Sequence, residues 1–184
     1  VINELCRVVQ LLPEQRRPLI SFNVSARQLS EADFADWLLN CLQRHNLPAA
    51  ALEMEVTESA FIDNPAQAMQ LLSRLRQQGL RIALDDFGTG YSSIAYLKEL
   101  PARTLKIDRK FVQNIPDNLA DCRILRAMIV FAKSLDLIVV VEGVETREQA
   151  RICRDYGADL LQGYLFSKPL ELPALLSFIS PPGA

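Results

Sequence analysis

With 184 residues, 49% of them hydrophobic and 23% charged, the chain has the length and balance for one substantial globular core. A net charge of −2 excludes the broad basic surface that binds duplex nucleic acid or a membrane face, leaving room only for a local basic pocket. No apolar run reaches membrane-spanning length, and no signal-peptide pattern opens the chain.

The chain starts inside a helical pattern and without an initiator Met, and so reads as a piece of something longer. Ile2, Leu5, Val9 and Leu12 recur at helical spacing, and Pro13 should end that helix. Residues 19–25 alternate as a strand. Ser30 is placed to cap the next helix, whose apolar face is Phe34, Leu38, Cys41 and Leu42. A second strand covers 52–58. Asn64 caps the following helix with Pro65 at its first position, and Gly79 closes it.

The third strand runs from Leu80 into Asp85-Asp86, then breaks at Phe87-Gly88-Thr89-Gly90. A short helix over 92–100 leads to a strand at 104–108. A long helix over 118–135 precedes a strand at 137–142. Thr146 with Gln149 forms a capping box, Gly157 stops that helix, 159–162 is a short strand, and a last helix covers 172–179.

Cys6, Cys41, Cys122 and Cys153 are widely spaced with no CxxC pair, which fits a reducing, cytoplasmic setting. Cys41 and Cys153 fall on apolar helical positions and read as core filler. The single His45 lies in a polar stretch and reads as a surface or cap residue, which argues against a His-based zinc site.

Strands alternating with helices indicate βα units and a parallel sheet in the α/β class. A doubly wound sheet should give strands apolar on both faces. Here Ile20, Phe22 and Val24 oppose Ser21, Asn23 and Ser25, and Leu52, Met54 and Val56 oppose Glu53, Glu55 and Thr57. One polar face, richest toward the strand C-termini, fits a β/α barrel with its working groups at that mouth. A complete barrel takes about 250 residues, so six of eight strands are expected here.

The polar groups at the strand ends are Asn23, Glu55, Glu58, Asp85, Asp86, Lys106, Asp108, Glu142, Glu145 and Gln162. Singly each has a bland explanation: a strand terminator, a surface acid, a Lys106–Asp108 ion pair, a first-turn helix acid. Jointly they form a hard-oxygen set suited to magnesium or manganese. Asp85 could bridge two ions, as in phosphoester displacement.

The segments Asn23-Val24-Ser25, Glu55-Val56-Thr57-Glu58, Asp85-Asp86-Phe87-Gly88-Thr89-Gly90-Tyr91-Ser92-Ser93, Leu105-Lys106-Ile107-Asp108, Glu142-Gly143-Val144-Glu145 and Gln162-Gly163-Tyr164 resemble, in order, the signature of EAL domains. The resemblance covers essentially the whole of residues 1–184. It implies a modified TIM-type (β/α) barrel that hydrolyses cyclic di-GMP to linear pGpG with Mg²⁺ or Mn²⁺. By the same resemblance Asn23, Glu55, Asp85, Asp86 and Glu142 match metal ligands, and Lys106, with Asp108 beside it, matches the lysine that orients the catalytic water. Glu58 and Gln162 match positions that support ligands or contact water. Glu145 matches the acid that anchors the Asp-Phe-Gly-Thr-Gly loop, which the family ties to dimerisation.

The Glu-Ala-Leu motif, whose Glu is a further metal ligand, and the nucleotide-contacting arginine that follows it are not in residues 1–184 and are expected in the roughly 60 residues upstream, by barrel size. Weak metal binding by this stretch alone is therefore expected, and no substrate-binding arginine is legible. The resemblance further implies a homodimer and a sensor or GGDEF domain elsewhere in the parent chain, with any membrane anchor carried by another domain. Two functions follow: a phosphodiesterase in which Glu142 or a metal-bound hydroxide supplies the base function, or a degenerate domain that only senses cyclic di-GMP or docks a partner. Retention of every strand-end acid favours the enzyme.

Overall fold

The computed structural model describes residues 2–12, 17–61, 64–89 and 94–179. Six strands, β1 (Ile20–Val24), β2 (Leu52–Thr57), β3 (Arg81–Phe87), β4 (Thr104–Ile107), β5 (Ile138–Val141) and β6 (Leu160–Leu161), pair in parallel. Their spatial order is their chain order, β1 to β6. A doubly wound sheet reverses order at a switch point, whereas a β/α barrel does not, so the topology is that of a barrel wall.

Among the described residues eight α-helices alternate with the strands: α1 (Ile2–Leu11), α2 (Ala26–Leu29), α3 (Phe34–Arg44), α4 (Pro65–Gln77), α5 (Ile94–Glu99), α6 (Leu119–Ser134), α7 (Arg147–Asp155) and α8 (Leu172–Ile179). The expected caps mostly form. The Asn64 side chain accepts from Gln67 N–H ahead of Pro65, and Thr146 and Gln149 close a capping box. Asn118 accepts from Ala120 and Asp121 N–H at the start of α6. Pro13, expected to end α1, lies outside the described residues.

Ser30 does not cap α3. Ser25 instead starts the short α2 through a capping box with Gln28, and Ser30 ends that helix. The chain exploits the earlier hydroxyl because Gln28 stands three positions beyond Ser25, where its side chain returns to the Ser25 N–H.

Apolar burial falls into two clusters. One joins α1, β1, α3, β2 and α4 through residues such as Val9, Leu38, Met54 and Leu72. The other joins β4, α6, β5 and α7 through Leu105, Leu125, Ile129 and Val139. Edge strand β1 keeps its alternation, with Phe22 and Val24 buried and Ser21 and Asn23 exposed. In β2 and β4 the polar face is buried as well, since both strands are flanked on either side. The interior of the curved sheet is therefore a buried polar layer, which must satisfy its own charges.

Candidate metal centre

β2, β3, β4 and β5 each deliver ionisable side chains to one place. The Lys106 ammonium lies 2.9 Å from Glu55 Oε2, 3.1 Å from Asp85 Oδ1 and 2.7 Å from Glu142 Oε1. It is 5% exposed, and Glu55 and Asp85 are 7% and 8% exposed. Three carboxylates thus converge on a single buried cation.

Adjacent residues of a regular strand point to opposite faces, so Asp85 and Asp86 should diverge. They do not, because β3 bulges there. Leu84 pairs with Leu105 and Phe87 with Ile107, leaving Asp85 and Asp86 together opposite Lys106. Asp86 adopts φ +53°, a left-handed conformation that Asp tolerates better than most residues. The Asp86 N–H donates to Asp85 Oδ1 at 3.0 Å. One carboxylate oxygen each from Asp85, Asp86 and Glu142 then lies within 4.8 Å of the others. Bulges commonly re-aim side chains at working sites, and this one supplies the second carboxylate.

The electrostatics follow from crowding. Burial disfavours the Lys106 charge, but hydrogen bonds and attraction from Glu142 and Glu55 outweigh it and hold the ammonium above its usual range. Burial pushes the Glu142 carboxyl up against the opposing pull of Lys106, with Asp85 and Glu55 adding repulsion. Burial also raises Asp86, reinforced by Asp85 and Asp108. One ammonium does not balance this many acids, and a further cation is the species that would. The donor set is all oxygen, so the residues fit a hard divalent ion.

Asp108 does not pair with Lys106. The chain turns after Ile107, and Asp108 caps the next turn by accepting from Lys110 N–H at 2.9 Å. Glu58, at the first turn beyond β2, accepts the Gly88 N–H at 2.9 Å and so fastens the loop after β3. Gly88 has φ +90°, and a Cβ there would sit 2.8 Å from the Phe111 ring. Asn23 is level with Glu55 across β1 and β2 but exposed.

Glu145 and Gln162 line a cavity of about 340 Å³ together with Asp86, Asp108, Glu142 and Arg109. Arg109 adds a cation to this wall that no strand-end pattern marks; its position directly after Asp108 is the one signal of it in the sequence. Glu145 was expected to anchor the Asp-Phe-Gly-Thr-Gly loop at 86–90, of which Gly90 lies outside the described residues. A larger cavity of about 790 Å³ opens at the opposite strand ends, but its charged lining is Arg76, Arg81, Lys98 and Arg103 with Asp136, which cannot hold a metal ion.

Comparison with known proteins agrees with this geometry. The family model for the EAL domain matches residues 1–169, and the chain belongs to that family. It is 43% identical over 181 residues to the cyclic di-GMP phosphodiesterase NbdA of Pseudomonas aeruginosa, covering 97% of this chain and 23% of that protein. It is 37% identical to the bifunctional diguanylate cyclase/cyclic di-GMP phosphodiesterase MucR of the same organism, covering 98% of this chain and 27% of MucR. The chain thus spans about a quarter of the length of these curated relatives.

Among solved structures, the MucR phosphodiesterase in complex with c-di-GMP superposes with TM-score 0.89 at 38% identity, over 95% of this chain and 72% of that one. A manganese and cyclic di-GMP complex of Klebsiella pneumoniae BlrP1 gives 0.82 at 29% identity, over 91% and 43%. The sheet described above is the TIM-barrel-like α/β wall of these EAL structures.

Proposed function

We propose that the whole protein hydrolyses cyclic di-GMP to linear pGpG using Mg²⁺ or Mn²⁺ held by Asn23, Glu55, Asp85, Asp86 and Glu142. The observation that carries this reading is the convergence of Glu55, Asp85 and Glu142 on one buried cation, with Asp86 brought beside them by the bulge. A divalent ion in such a set lowers the pKa of water and neutralises charge developing on the phosphoryl group.

The chain's own groups then have distinct tasks. Lys106 orients the attacking water and keeps positive charge beside the phosphoryl oxygens. Glu142, whose carboxyl burial has raised, accepts the proton of that water. Water adds to phosphorus, one phosphodiester P–O bond breaks, and the released ribose hydroxyl takes up a proton. Asp108 stands beside Asp86 in the same cavity, and its charge adds to the pressure that a bound cation would relieve. Glu58 fixes the loop after β3, while Arg109 and Gln162 face the substrate from the cavity wall. Glu145 tethers that loop from the other side, and a homodimer forms across it. Other segments of the parent chain supply regulation, and the reaction takes place in the cytoplasm.

A receptor that binds cyclic di-GMP without turnover is the second reading, and the full set of strand-end acids weighs against it. Chromatography of cyclic di-GMP incubated with the whole protein and Mn²⁺ decides between them. Asp85→Asn should lower turnover by about 10³-fold. Equal turnover by the variant would remove Asp85 from the reaction, and calorimetric binding without any product would select the receptor.

A further inference from the structure

Far from the carboxylates in sequence, α1 and α3 bring a second ligand-bearing cluster together. The sulfur atoms of Cys6 and Cys41 and a ring nitrogen of His45 lie within 4.8 Å of one another. Asn3 joins them, its Oδ1 accepting from the Cys41 thiol at 3.1 Å and lying 3.4 Å from His45 Nε2. Asn3 and Cys6 are three apart on α1, and Cys41 and His45 four apart across the end of α3. Each helix therefore presents its pair on one face. This is the spacing by which helix pairs build metal sites in bundles.

The surroundings are also those of a ligated imidazole. Gln10 donates from Nε2 to the His45 carbonyl at 2.7 Å, and its Oε1 faces His45 Nδ1 at 3.5 Å. Both ring nitrogens thus face an amide oxygen, and a neutral imidazole carries only one ring proton, so whichever nitrogen lacks it meets its neighbour acceptor to acceptor. A cation between them removes that conflict. The thiols are fully buried while His45 is half-exposed, so the imidazole marks the entry path.

We propose that Cys6, Cys41, His45 and the Asn3 amide oxygen form a site for a soft or borderline divalent ion, with Zn²⁺ the best match, that ties α1 to α3. Two thiolates, one neutral imidazole and one oxygen make a closed tetrahedral set. Zn–S bonds of about 2.3 Å and Zn–N bonds of about 2.0 Å place donors about 3.4–3.8 Å apart, within the 4.8 Å that bounds their present separations. On binding, two S–H bonds break, two metal–sulfur bonds form, and two protons pass to solvent; the imidazole keeps its Nδ1 proton. In the absence of metal, burial and the neighbouring Cys41 push the Cys6 thiol up to about 11, so protons compete with the ion.

Titration of the reduced, metal-free protein with Co²⁺ tests this assignment, because thiolate ligands give an intense charge-transfer absorption that oxygen ligands do not. One equivalent should produce that band and release two protons. Zn²⁺ should abolish the band and, at a hundredfold excess over Kd, raise Tm by about 5–10 °C. Asp85→Asn, which disables the carboxylate centre, should leave the band intact. Cys41→Ser should remove it, and His45→Gln should weaken Co²⁺ binding at least 10-fold. No band, a band that survives Cys41→Ser, or unchanged affinity in His45→Gln would overturn the site. His45 is half-exposed at a helix end, so its variant decides the matter even where Cys41→Ser does not fold.

Discussion

Glu53 and Glu55 stand two residues apart on the same face of β2 and are almost equally buried, 6% and 7% exposed. They are held in opposite ways. Glu53 accepts from the Thr104 hydroxyl at 2.7 Å and the Ser21 hydroxyl at 3.4 Å, both neutral donors fixed on flanking strands. Glu55 faces the ammonium of a long, unbranched lysine, which it shares with Asp85 and Glu142. The lower carboxylate is locked by short side chains that cannot leave. The upper one is neutralised by a group that a competing cation can replace. A buried acid becomes a ligand through the replaceability of its partner, and burial alone does not confer that role.

The largest effect that tests this contrast comes from Lys106→Met. Removing the ammonium leaves Glu55, Asp85 and Glu142 buried and facing one another, which should cost about 3–5 kcal/mol of stability in a chelator. Mn²⁺ should restore much of that loss, because it supplies the missing charge to the same oxygens. Urea unfolding with and without Mn²⁺ reads both quantities. An unstable variant that Mn²⁺ fails to rescue would mean that these carboxylates do not hold the ion.

Glu53→Ala should behave differently. It strands the buried Thr104 hydroxyl and leaves a void, so a loss of about 1–3 kcal/mol is expected, unchanged by Mn²⁺. Glu53→Gln keeps an acceptor for Thr104 and should cost less. Rescue of Glu53→Ala by Mn²⁺ in the same unfolding assay would erase the distinction between the two layers.

Much of this arrangement is legible in the chain. The alternation in β1 and β2 gives the sheet its polar interior, and the caps at Asn64 and Thr146 fall where an amide or a hydroxyl precedes apolar periodicity. The acids at the strand ends are likewise readable, because apolar runs stop at them. Three features are not. The bulge that turns Asp86 toward Asp85 depends on pairing with β4, and the same two letters in an unbulged strand would point apart. Lys106 pairs with Glu55, Asp85 and Glu142 and leaves Asp108, the bland alternative, to cap the next turn, since spacing by two implies a shared face only while the strand continues. Cys6 and Cys41 meet because α1 packs on α3, a contact over 35 positions that no local pattern encodes.

Asp159 offers a third way of holding a carboxylate and the smallest of the expected effects. It sits at the start of β6, where it accepts the Val139 N–H at 2.7 Å and two contacts from Lys133 Nζ at 2.8 and 3.0 Å. Burial works to raise this carboxyl, but Lys133 and the Val139 N–H win and hold it below its usual range. A depressed carboxylate stabilises the fold above its unfolded pKa, about 3.9, and that contribution disappears as pH falls through the folded value. The side chain is 35% exposed, so solvent screens the pair and Asp159→Asn should cost only roughly 0.5–1 kcal/mol near neutral pH. The gap between wild type and variant should shrink below about pH 4 and narrow with added salt. Paired urea titrations at pH 7 and pH 3 measure it, and a gap that widens toward acid would show that Asp159 is held as the neutral acid instead.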